Sequence, residues 1–65
     1  MKNHAQKYRG MECFFENERG TAFVFFSQYS LGGQYFVYSR RDGAYHYEAA
    51  FMHILAAIEY AKMFF

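Results

Sequence analysis

Thr21-Ala22-Phe23-Val24-Phe25-Phe26-Ser27-Gln28 decides the fold. Side chains alternate along an extended strand, so Phe23 and Phe25 point one way while Ala22, Val24 and Phe26 point the other. A strand apolar on both faces needs cover above and below, which predicts a central place in a sheet. Upstream, Lys7 to Phe15 predicts a strand with Met11, Cys13 and Phe15 on one face, Tyr8, Glu12 and Phe14 on the other, and a bulge at Gly10. Glu16-Asn17-Glu18-Arg19-Gly20 joins the two strands as a hairpin loop, marked by its Asn and Gly.

Downstream, Leu31-Gly32-Gly33 predicts a turn, Gln34 to Ser39 a third strand, and Arg40-Arg41-Asp42-Gly43 another turn. Ala44 to Tyr47 reads either as a short fourth strand through Tyr45 and Tyr47 or as the onset of a helix capped by Asp42. From Glu48 through Lys62 Ala, Met, Leu, Ile, Glu and Lys dominate, without Gly or Pro, and a helix of several turns is expected. The expected fold class is α+β: a three- or four-stranded antiparallel meander packed by one C-terminal helix, βββα or ββββα. Residues 1–6 are expected to form a flexible polar tail and residues 7–65 a single domain.

Size and composition narrow the function classes. A chain of 65 residues has one small core. Its single Cys13 cannot close an intramolecular disulfide and points to a reducing compartment. No secretory leader or membrane span is legible, because Met1 to Gly10 is polar and Glu48, His53, Glu59 and Lys62 interrupt the apolar C-terminal stretch; a cytoplasmic protein without membrane contact is expected. A net charge of +1 argues against generic attraction to phosphate backbones. Nine Phe and seven Tyr argue against disorder, since that much apolar surface is costly to leave in water.

Read as a helix, the C-terminal stretch has two apolar faces. Phe51, Ile54, Ile58, Ala61 and Phe65 make the stripe expected to pack on the sheet. Ala49, His53, Ala56, Tyr60 and Met63 make a second series on nearly the opposite side, with Glu48, Glu59 and Lys62 between the two. One helix covers one sheet face, so a domain this small is expected to bury the remaining apolar surface against another chain. The expected self-association surface is Ala49, Met52, His53, Ala56, Tyr60, Met63 and Phe64, in a homodimer or higher assembly that weakens when His53 protonates. Exposed Ala and Tyr are also common on solvated helix faces, which is the plainer account of the same residues.

Candidate chemistry is sparse. Gly32-Gly33-Gln34 spells the tripeptide with which peptide-chain release factors aim a glutamine, but paired glycines in a hairpin are explained by the positive φ of turns. His46-Tyr47-Glu48 matches half of a zinc-deaminase motif whose paired cysteines are missing. Cys13, His4, His46 and His53 are too scattered to promise a metal site. Cys13 alternates with Met11 and Phe15, which favours a core thiol over a nucleophile. No catalytic residue, metal ligand or cofactor is assigned.

The expected function is a non-enzymatic protein-protein interaction module that self-associates and docks on a partner protein, with Tyr35, Tyr38, Arg40 and Arg41 as partner-binding residues. Its size and lack of chemistry suit an inhibitor made by a bacteriophage or mobile element against a host enzyme. The alternative is a small nucleic-acid-binding regulator stacking bases on Tyr8, Tyr35 and Tyr38. Charge placement weakens that alternative: Glu16, Glu18 and Asp42 neutralise Arg19, Arg40 and Arg41 at one end of the sheet, and Lys2, Lys7 and Arg9 lie at the other.

Overall fold

The computed structural model describes residues 7–28 and 34–64. The tail at residues 1–6, the turn at Leu31-Gly32-Gly33 and Phe65 lie outside the described residues. The chain runs β1 (Lys7–Tyr8), β2 (Met11–Glu16), β3 (Ala22–Ser27), β4 (Gln34–Arg41), β5 (Ala44–Phe51) and α1 (Ile54–Lys62). Every strand pairs antiparallel with its chain neighbour, in the order β1-β2-β3-β4-β5. The expected α+β meander with one C-terminal helix is therefore present, with β2 to β5 as its body and β1 as a two-residue stub.

Three boundaries differ from the sequence reading, the smallest being that Arg40 and Arg41 belong to β4 and not to the turn after it. Lys7 to Phe15 is not one bulged strand, because Arg9 and Gly10 both adopt positive φ, 53° and 79°, and reverse the chain between β1 and β2. Two consecutive positive φ values are what a two-residue hairpin turn with the native strand twist requires. The bulge itself falls between Cys13 and Phe15. The third difference is the largest: Glu48 to Phe51 belongs to β5, and α1 begins only at Ile54. Asp42 and Gly43, at φ 54° and 77°, form another two-residue turn that sends the chain straight back along β4. Cross-strand pairing from Ala44 to Phe51 then overrides the helix propensity of Glu48, Ala49 and Ala50.

The helix rests on β3, β4 and β5. Ala57 and Ala61, one turn apart, carry no bulk to hold it off, and they close over Ala22, Val24 and Val37, all five fully buried. Ile58, Tyr60, Phe51 and Phe64 pack around this core.

The opposite sheet face was expected to need another chain, and its centre is covered from within this one. Phe25 is fully buried and Phe23 is 2% exposed, in a second cluster with Met11 and Cys13. Their cover is tyrosine from the two edge strands. The Tyr8 ring of β1 lies 4.6 Å from the Tyr45 ring of β5, and both rings sit 5.7 Å from Phe25. In a flat sheet, first and fifth strands would be about 19 Å apart, at about 4.8 Å per step. The sheet must therefore coil over this face until side chains of its two edge strands meet above β3.

Candidate functional site

Because Tyr8 and Tyr45 close the aromatic face, Arg9 of the β1–β2 turn and Arg40 of β4 place charge on its rim. The Arg9 guanidinium lies 5.5 Å from the Tyr8 ring centre and that of Arg40 lies 5.6 Å from Tyr45, both in cation-π range. Tyr38 stands edge-on to Phe25 at 5.6 Å and to Tyr8 at 5.2 Å. Burial pushes the Tyr38 hydroxyl up from the usual phenol range, the neighbouring Tyr8 and Tyr47 add to that, and Arg9 opposes it. Arg9 and Arg40, which the sequence reading put at opposite ends of the sheet, thus flank one pair of touching tyrosines.

The four expected partner-binding residues do not form one surface. Tyr38 and Arg40 belong to the aromatic face, whereas Tyr35 packs on the helix side against Phe26 at 5.0 Å and Phe14 at 6.1 Å. Their odd spacing dictates this, since successive strand residues face opposite ways. Arg40 and Arg41 are both exposed beside the β4–β5 turn.

The expected self-association residues are redistributed because the helix starts late. Ala49 lies on β5, and Met52 and His53 lie in the bend before α1. His53 holds the N-cap position without a side-chain cap. Tyr60 and Phe64 are half-buried, Tyr60 packing on Phe51 at 5.4 Å and on Phe64 at 5.4 Å, so their rings serve the core. Met52, His53, Ala56 and Met63 are exposed. Leu55 was missed and is, among the described residues, the most exposed large apolar one, at 73%. Helical phase alone would have brought it out, since Leu55 stands one turn before Glu59, away from Ala57 and Ala61.

Two polar clasps hold these surfaces in place. Ser39, buried on β4, donates through its hydroxyl to Glu48 Oε2 at 2.6 Å. Asn17, 6% exposed, donates from Nδ2 to Thr21 Oγ1 at 3.0 Å and to the Ala61 carbonyl at 3.2 Å. Its Oδ1 accepts from the backbone N–H groups of Thr21 at 2.8 Å and Ala22 at 3.1 Å.

No family model, curated protein or solved structure matches this chain.

Catalytic candidates fare as their surroundings dictate. Cys13 is buried; burial pushes its thiol up, a backbone hydrogen bond from Phe15 opposes the rise, and Glu16 adds to it. The thiolate needed for nucleophilic attack is thereby disfavoured. Among the described residues no three His, Cys, Asp or Glu side chains gather to hold a metal ion. Of the release-factor tripeptide, Gln34 opens β4, and Gly32 and Gly33 lie outside the described residues. Among the described residues no helix is long and apolar enough to cross a membrane.

Proposed function

We propose that this protein is a non-enzymatic interaction module that self-associates and docks on a partner protein. The supporting observation is the outer side of α1 and the bend before it, where Met52, Leu55 and Met63 are 66%, 73% and 65% exposed. Large apolar side chains grouped on one flank of a small domain mark an interaction surface more often than scattered ones do. Glu59 and Lys62 lie on the same side, 3.9 Å apart and well exposed, and supply a polar rim of little energetic weight. The test is solution mass by light scattering on a sizing column, with absorbance followed at 260 and 280 nm. A mass at a multiple of the single chain without excess 260 nm absorbance is expected, and a monomer at every concentration rejects self-association.

One observation favours the nucleic-acid alternative. Arg9 and Arg40 converge on the Tyr8 and Tyr45 rings, joining cations and aromatic surface on one face. A single-strand binder built this way would lose affinity steeply with salt and on R9A/R40A. Indifference of oligonucleotide binding to both changes dismisses it.

A further inference from the structure

Among the described residues β5 has a strand neighbour on one side only, so its outer edge offers backbone N–H and C=O groups to a further strand. The strand is eight residues long and has neither proline nor lysine to discourage pairing. Its middle reads His46-Tyr47-Glu48. His46 pairs with Ser39 across the β4–β5 ladder, and Glu48 accepts from the Ser39 hydroxyl, so both lie on the helix side of the sheet, one on each side of Tyr47. Tyr47 faces the opposite way, 58% exposed, beside Tyr38.

That order is self-complementary. We infer that two copies of this chain associate through the β5 edge, antiparallel about a two-fold axis at Tyr47, with His46 of each copy opposite Glu48 of the other. The inference rests on the self-association reading and specifies where it happens. An imidazole donates to a carboxylate whether neutral or protonated, and Ser39 occupies one carboxylate oxygen of Glu48, leaving acceptor sites for a second donor. The other in-register alignments of this segment, centred on His46 or on Glu48, oppose two identical imidazoles or two identical carboxylates, so cross-strand chemistry selects the Tyr47 axis.

The helix extends the contact. Tyr60 packs on Phe51 of β5, so the flank of α1 that carries Tyr60 faces this edge. Ala56 and Met63, four residues before and three after Tyr60, share that flank and are exposed. Two-fold pairing of β5 lays this flank beside its counterpart, above one continuous sheet. The extra residue of the β5 bulge falls at Glu48, between the partners of Val37 and Tyr38. It bends the strand beside the axis and keeps matched pairing short, so the helix flank forms the larger part of the interface.

The test compares wild type, H46K and H46E by sedimentation equilibrium, with circular dichroism to show that each folds. His46 is exposed, so neither substitution disturbs the core. H46K should dimerise at least as tightly as wild type, and H46E, which opposes two carboxylates twice over, should weaken the dimer by about tenfold or more. Amide exchange at residues 46–48 should slow as protein concentration rises. If H46E dimerises like wild type and those amides stay unprotected in the dimer, the β5 edge is wrong and self-association stands. A wild-type monomer at millimolar concentration overturns both.

Discussion

The Asn17 side chain donates to the Ala61 carbonyl at 3.2 Å across 44 residues of sequence, so a residue of the β2–β3 hairpin caps the far end of the helix. It also donates to the Phe64 carbonyl at 3.4 Å. These carbonyls belong to the last turn and its exit, where intrahelical partners run out. The same amide accepts two backbone N–H bonds within its own loop. One side chain therefore fixes both the hairpin and the seat of α1.

Removing that clasp should cost much of the fold's stability. N17A strands buried donors and acceptors, and a loss of about 2 kcal/mol or more is expected in urea unfolding. N17D keeps the shape and the accepting oxygen but turns a donor into a carboxylate facing helix C-terminal carbonyls, against the helix dipole. It should be no more stable than N17A. A midpoint for either variant matching wild type, at an unchanged denaturant slope, contradicts the capping role.

Cys13 should behave as a core atom. Its raised pKa means that the thiol stays protonated through neutral pH, and a thiol-alkylating reagent at pH 7.5 should label the native protein far more slowly than the urea-unfolded chain. Equal labelling rates would mean that the thiol is exposed and that the second cluster is not packed as described.

Replacing Ser39 by alanine leaves the half-buried Glu48 carboxylate without its hydroxyl donor. A destabilisation of about 1 to 3 kcal/mol is expected. S39A/E48Q, which removes the charge as well, should recover part of the loss, and the urea midpoints of the two variants decide it.

A methyl group added at Gly43 would meet open space, but the backbone there holds a φ of 77°. Backbone strain is then the only penalty for G43A, and about 1 kcal/mol of stability should be lost. No measurable change in thermal midpoint would mean that the turn relaxes to another type.

Much of this fold is legible in the sequence, for stated reasons. The two-sided apolar pattern of Phe23 to Phe26 predicts the central strand, and β3 lies between β2 and β4. Asp42-Gly43 is a strong hairpin signal, and following it to its end would have carried β5 past Tyr47. Local propensity misled from Glu48 to Ala50, where helix-favouring residues sit in a strand because β4 is there to pair with. Periodicity could not reveal that the sheet coils, since coiling shows only in contacts such as Tyr8 to Tyr45. Of the candidate site, exposure at Met52, His53, Ala56 and Met63 was within reach, whereas the retreat of Tyr60 and Phe64 into the core follows from the helix seating on Ala57 and Ala61.

The meeting of Tyr8 and Tyr45 also bears on how the chain folds. The contact joins the first strand to the last, so the loop it closes spans nearly the whole meander and forms only after the intervening hairpins have assembled. A folding nucleus around β3 and β4 can gather early, while closure of the tyrosine roof comes late. Substitutions at Tyr8 should then speed unfolding and leave the refolding rate nearly unchanged. A chain that begins after Tyr8 would bring Phe25 back into contact with water, as an aggregation-prone surface that the intact protein keeps covered.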